Sequence, residues 1–272
     1  MSERINVFCI NHMNIVVEDF DVSVQHFKEL FGAQFATDLP SPEFHACVMA
    51  LGGGLIEFFV PNAYLLNARY GPFHLGVEYH ADLDQVRRVL AQKGIRIVRD
   101  IGAAVHTHPA DTLGVSFEFY GSSFHNKVWK TLGTTVLPLS YWRDEHPLGA
   151  TGLKGYSLAV EDIGAGVGFL KSLFDCEQVY DEARPALSAH AIGLKVGDVI
   201  IEVLAPMGDG VLREELKRQG QGIRSTLFGV KDLAAAAAYF EERQIKLLPG
   251  SAHDRMMLPP AANRGILFEF AV

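Results

Sequence analysis

The chain has no basic cluster, no apolar run of membrane-spanning length and only three cysteines among its 272 residues. Lysine and arginine total 24 against 32 aspartate and glutamate, a formal charge of -8, and the cations are scattered. A phosphate backbone is recognised by a basic face, so nucleic acid is not an expected partner. A membrane helix needs about 18 or more consecutive apolar residues, and none occurs; the opening MSERINVFCINHMN also lacks the apolar core of a signal peptide. The expectation is a cytoplasmic protein with no membrane partner. Cys9, Cys47 and Cys176 are odd in number and read as small hydrophobes, none of them a nucleophile. A phosphate loop is absent too: Gly52, Gly53 and Gly54 are followed by no helix carrying Lys and Ser or Thr, and they read as a hairpin turn.

What is present is ample core material, with 49% apolar and 21% charged residues over a length that favours two domains. The chain also repeats itself. HMNIVVEDFDVSVQHFKELF from His12 aligns without gaps on GYSLAVEDIGAGVGFLKSLF from Gly155. FHACVMALGGGLIEFFVP aligns on AHAIGLKVGDVIIEVLAP, and GVSFEF at Gly114 on GILFEF at Gly265. Each half contains a finer repeat of strand, helix and three strands, so four βαβββ units, an α+β class, fill the chain.

Asp19 is a good N-cap, Phe20, Val24, Phe27, Leu30 and Phe31 fall at helical spacing, and Gly32 is a stop. Asp162 opens the third helix over Ile163, Val167, Leu170, Leu173 and Phe174; the second and fourth run from about Asp82 to Lys93 and from Asp232 to Arg243. The alanine run Ala234 to Ala238 is a closely packing helix face. Residues 122–152, with Pro138, Pro147, Gly149 and Gly152, fit no unit and read as a linker between domains 1–121 and 153–272, with a short helix or strand near Trp129 or Tyr141.

Strand side chains alternate faces. Met13, Ile15 and Val17 form one apolar face and leave His12 and Asn14 opposite; Phe73, Leu75 and Val77 leave His74; Ile56 and Phe58 leave Glu57; Phe117 and Phe119 leave Glu118. An isolated charge inside an apolar strand costs several kcal/mol, so these four residues need a partner or a metal. Two imidazoles and two carboxylates balance a divalent cation and suit Zn, Ni, Co, Mn or Fe. Singly, a histidine near a strand end is usually capped or at the surface, and a lone glutamate usually reaches solvent at an edge. The joint recurrence at equivalent places in two units carries the argument.

INHMNIVVED, LIEFFVP, PFHLGVEY and GVSFEFYG resemble the vicinal-oxygen-chelate superfamily of glyoxalase I, methylmalonyl-CoA epimerase and extradiol dioxygenases, and the resemblance covers essentially the whole chain. It implies that the four units pair into two cup-like domains. It further implies that His12, Glu57, His74 and Glu118 hold a divalent metal in the N-terminal domain, with Glu118 or Glu57 as the catalytic base.

The C-terminal domain departs from this pattern, because Gly155 replaces His12 and Arg224 replaces His74 in the alignment while Glu202 and Glu269 persist. It is therefore expected to hold no metal, with an ion pair from Arg224 to Glu269 or Glu202 instead. Extradiol enzymes typically use the C-terminal domain, the opposite allocation. The acidic DPDG-type loop of glyoxalase I is replaced by ADTLG from Ala110, which argues against glutathione-linked chemistry.

Further candidates are Asn14, placed to bond substrate or backbone, and His106 and His108 in VHTHPAD, as acid/base groups, metal-supporting residues or exposed hairpin histidines. His45 and His190 coincide between the halves and read as structural. Tyr64, Arg69 and Tyr70 precede His74 in an expected loop, where they shape a pocket or face solvent. The leading expectation is a metal-dependent lyase or isomerase moving a proton alpha to a carbonyl on a small substrate with vicinal oxygens. The alternatives are Fe(II)-dependent dioxygenation of a catechol-like aromatic by His12, His74 and Glu118, or non-catalytic binding of a small molecule. Four fused units complete two cups within one chain, so a monomer or a homodimer is expected.

Overall fold

The computed structural model describes residues 3–62 and 71–272, so Tyr64, Arg69 and Tyr70 lie outside the described residues. Eight strands form the first sheet: β1 (Val7–Val16), β2 (Gln34–Pro40), β3 (Phe44–Leu51), β4 (Gly54–Pro61), β5 (Phe73–Ala81), β6 (Ile97–Asp100), β7 (Ala104–Thr107) and β8 (Ser116–Tyr120). Eight more form the second: β9 (Ala150–Ala159), β10 (Glu177–Arg184), β11 (Ala189–Val196), β12 (Val199–Pro206), β13 (Gly222–Val230), β14 (Leu248–Pro249), β15 (Arg255–Leu258) and β16 (Phe268–Ala271). The first runs β2-β3-β4-β1-β5-β8-β7-β6 and the second β10-β11-β12-β9-β13-β16-β15-β14, the same order shifted by eight. This is the α+β arrangement of four βαβββ units that the repeats implied. The strands carrying Glu57, His12, His74 and Glu118 are the four central neighbours of the first sheet.

The helices form where the caps demand. In α1 (Phe20–Phe31) the Asp19 carboxylate accepts from the Val22 amide, and Gly32 ends the helix in the left-handed region that glycine enters without a steric penalty. Asp82, Asp162 and Asp232 cap α2 (Leu83–Lys93), α4 (Ile163–Leu173) and α6 (Leu233–Glu241) in the same way. The linker contributes α3 (Leu139–Asp144), at the expected Tyr141. Gly52 and Gly53 make the β3–β4 turn with positive φ, as their lack of a side chain permits. No helix of the described residues is long and apolar enough to cross a membrane.

A further helix, α5 (Val211–Gln219), breaks the strict unit pattern between β12 and β13. Its sequence offers only Leu212 and Leu216 as a buried stripe, too few to announce a helix by periodicity. Those leucines pack on Ala189, Ala191 and Leu204, so α5 fills the face of β11 and β12 that Glu202 shares with Leu204 by strand alternation.

By contacts the chain forms two compact units, each drawn from both halves of the sequence. One comprises Met1–Asn11, Leu75–Phe124 and Gly155–Arg224, and Phe174 of α4 packs there against Tyr79, Phe117 and Phe119. The other comprises His12–His74, His125–Lys154 and Ser225–Val272, where Phe27 and Phe31 of α1 meet Phe58, Phe240 and Phe268. Each fully buried ring contributes about 1.5–3 kcal/mol of burial.

Candidate metal centre

The parallel β1–β4 ladder sets Asn14 beside Glu57, so both side chains leave the sheet on one face, and His12 lies one pleat earlier on that face. All three are buried. His12 Nε2 stands 3.5 Å from Glu57 Oε2, and His12 Nδ1 is 2.6 Å from Asn14 Oδ1. An amide oxygen only accepts, so Nδ1 is the donor of that bond, and Nε2 is the ring nitrogen that faces the carboxylate. A neutral imidazole with a carboxylate is a donor set that divalent transition metals accept. The other end of Asn14, Nδ2, is buried and hydrogen-bonds to none of the described residues.

His74, at the start of β5, is buried and its Nε2 lies 2.9 Å from the Thr226 hydroxyl. Burial pulls its pKa down to about 3, so the ring is neutral, the form that coordinates metal. Glu118 of β8 is buried, with His106 Nδ1 at 3.1 Å from Oε1. Burial lowers the pKa of His106, while the charge and hydrogen bond of Glu118 raise it; the net shift is upward.

His12 approaches Glu57, Glu118 approaches His106, and His74 meets Thr226. Among the described residues no group of three or more His, Cys, Asp or Glu side chains is close enough to hold a metal ion. His108 departs from His106, since its Nδ1 accepts from the Ala110 amide and caps the turn at Pro109–Asp111. His45 and His190 make matching bonds to Asp38 and Asp181, of 2.7 and 2.6 Å.

Two further residues escaped the sequence reading. Glu78 pairs with Glu118 in the β5–β8 ladder and is buried, and the Asn11 amide donates to Glu78 Oε1 at 3.0 Å. Glu78 has the strand parity of His74 and Gly76, so following β5 four residues further would have found it.

In the C-terminal half the ladder pairs Ser157 with Glu202, which confirms Gly155 at the place of His12. A Cβ on Gly155 would lie 1.9 Å from the Ile200 carbonyl oxygen, so no histidine fits there without moving backbone. The match of Arg224 to His74 is corrected by register. Leu227 pairs with Glu269 as Glu78 pairs with Glu118, one residue away from the ungapped alignment. Both buried carboxylates have guanidinium partners that the sequence did not announce. Arg184 bonds Glu202 at 2.7 and 2.9 Å, and Arg255 lies 3.3 Å from Glu269, which also accepts from Ser251. Arg224 itself bonds Glu215 of α5 at 2.6 Å.

No curated protein matches the sequence significantly. Among solved structures, a 4-hydroxymandelate synthase variant from Streptomyces coelicolor is 12% identical and covers 97% of this chain and 92% of its own, with a TM-score of 0.75; at that identity the likeness is one of fold. Methylmalonyl-CoA epimerase from Mycobacterium tuberculosis is 23% identical over 44% of this chain and 91% of its own, with a TM-score of 0.38. The Streptomyces coelicolor epimerase is 22% identical over 43% and 94%, with a TM-score of 0.40. A family model, the Glyoxalase/Bleomycin resistance protein/Dioxygenase superfamily, matches residues 11–112, the segment that holds His12, Glu57 and His74. Residues 11–112 are thus similar to the Glyoxalase/Bleomycin resistance protein/Dioxygenase superfamily, and the second sheet repeats the strand order of the sheet that holds this segment.

Proposed function

We propose that the chain is a divalent-metal-dependent lyase or isomerase that transfers a proton alpha to a carbonyl on a small substrate with vicinal oxygens. The observation that carries this reading is the buried His12 imidazole, bonded through Nδ1 to Asn14 and with Nε2 3.5 Å from the Glu57 carboxylate. His12, Glu57, His74 and Glu118 are the residues proposed to hold the ion, on four neighbouring strands of one sheet. His74 must exchange its bond to Thr226 to take part. When bound, the ion supplies Lewis-acid stabilisation of the developing enolate.

The rest falls to the chain's own groups. Glu118, with His106 at its Oε1, accepts the substrate proton as a carboxylate. Glu57 is the alternative base. Asn14 Nδ2 offers a buried donor for a substrate oxygen. His108, engaged in capping its turn, supports the loop that follows β7 rather than touching substrate.

The test is aerobic metal analysis followed by reconstitution with Ni(II), Co(II), Zn(II) or Fe(II). Proton exchange alpha to a carbonyl in a panel of 2-oxo and thioester substrates, with any of the first three ions, supports the reading. Activity confined to freshly reduced iron with oxygen uptake would replace it by the dioxygenase alternative resting on His12, His74 and Glu118.

A further inference from the structure

We propose that Asn14 is a positioning residue that locks His12 in the tautomer protonated at Nδ1 and so reserves Nε2 for metal. The inference rests on the metal reading above and concerns how one side chain enforces it. His12 and Asn14 are two residues apart on β1, on the same face and fully enclosed. The contact from His12 Nδ1 to Asn14 Oδ1 is 2.6 Å, at the short end of the hydrogen-bond range. In water the two neutral tautomers of imidazole differ little, so one buried acceptor decides which nitrogen is protonated.

A group that bonds the non-coordinating nitrogen of a metal-binding histidine fixes the ring orientation and raises the basicity of the other nitrogen. Glu57, beside Asn14 in the ladder, has Oε2 3.5 Å from His12 Nε2, beyond the usual length of an N–H···O bond. The second half lacks the device, since Gly155 and Ser157 stand where His12 and Asn14 do. The alternative arrangement turns the amide over, so that Nδ2 donates to Nδ1 and His12 Nε2–H donates toward Glu57. It leaves no lone pair for an ion.

The experiment uses the metal-free full chain labelled with 15N-histidine at about pH 8, where an imidazole of ordinary pKa is neutral. Two-bond 1H–15N correlations report the protonated nitrogen of each ring, and His12 is assigned from the His12→Gln spectrum. Wild type and Asn14→Asp, which keeps an acceptor at this place, should show His12 protonated at Nδ1. Asn14→Leu should show the other tautomer or a mixture. Calorimetric titration with Co(II) and Zn(II) should give an affinity about 10- to 100-fold lower for Asn14→Leu, with Asn14→Asp holding close to wild type. Thermal unfolding of each variant separates misfolding from loss of the ligand, and Asn14→Asp serves if Asn14→Leu does not fold.

His12 protonated at Nε2 in wild type, or an Nδ1–H tautomer unchanged in a folded Asn14→Leu protein, overturns the inference. If the tautomer responds as expected but wild type binds neither ion, the hold of Asn14 on His12 is supported and the metal reading falls.

Discussion

Glu57 and Glu202 occupy equivalent ladder positions in the two sheets, beside Asn14 and Ser157, and both are buried. Their nearest nitrogen partners differ in chemistry. Glu57 faces an imidazole nitrogen at 3.5 Å, whereas Glu202 is bonded by the Arg184 guanidinium at 2.7 Å. Glu118 and Glu269 repeat the contrast, the first with His106 and the second with Ser251 and Arg255. A guanidinium is a permanent cation held by directional bonds, while an imidazole can be neutral and give its lone pair to an exchangeable ion. On the proposed reading one half would balance its carboxylates with an exchangeable ion, while the other has positive charge built into the chain. The packing of α5 on Leu204, along the face that bears Glu202, reinforces the second outcome.

The largest effect should come from His12→Ala. Calorimetry is expected to find metal binding abolished, and unchanged binding would break the comparison at its N-terminal end. Next, Arg184→Met removes the guanidinium from buried Glu202 and should cost about 3–5 kcal/mol in denaturant unfolding, while the double change Arg184→Met with Glu202→Leu should recover most of it. N-terminal metal binding should survive both. If the single change is silent, the charge of Glu202 is compensated in another way.

Restoring histidine at Gly155 should not create a second metal site. The clash of its Cβ with the Ile200 carbonyl should instead destabilise the protein by about 1–3 kcal/mol, and a second equivalent of bound metal in Gly155→His would refute this. The smallest effect concerns Cys47, whose counterpart in the repeat is Ile192. Burial, followed by the charges of Glu57 and Asp38, pushes its thiol up to about 12. Alkylation at pH 8 should spare Cys47 in the native protein and reach it only after denaturant is added; rapid native labelling would contradict its burial.

The frame of the fold was readable because it is local. Asp19, Asp82, Asp162 and Asp232 cap the helices that periodicity marked, and strand alternation put Glu57, Glu118, Glu202 and Glu269 on buried faces. What escaped depends on contacts distant in sequence. Thr226 reaches His74 across 152 positions, and nothing near either residue signals it. Arg184 approaches Glu202 from β10, across the intervening β11, and Arg255 approaches Glu269 from the neighbouring antiparallel β15, which only a known register reveals. The alignment of Arg224 with His74 failed by one residue, since an ungapped match cannot see the extra position between β13 and its following cap. α5 was missed because two leucines make a weak stripe.

The interleaving of the two compact units bears on how such a chain can be cut. A fragment ending near residue 121 would take Tyr79, Phe117 and Phe119 without Phe174, and Phe27 and Phe31 without Phe240 and Phe268. Both aromatic clusters would open at once, exposing apolar surface of the kind that promotes aggregation. The buried bond between the Tyr79 and Tyr156 hydroxyls, 2.8 Å long, would lose one partner. The half with arginine-bound carboxylates is therefore no disposable remnant of duplication: it supplies the other side of each core and cannot be removed without opening both.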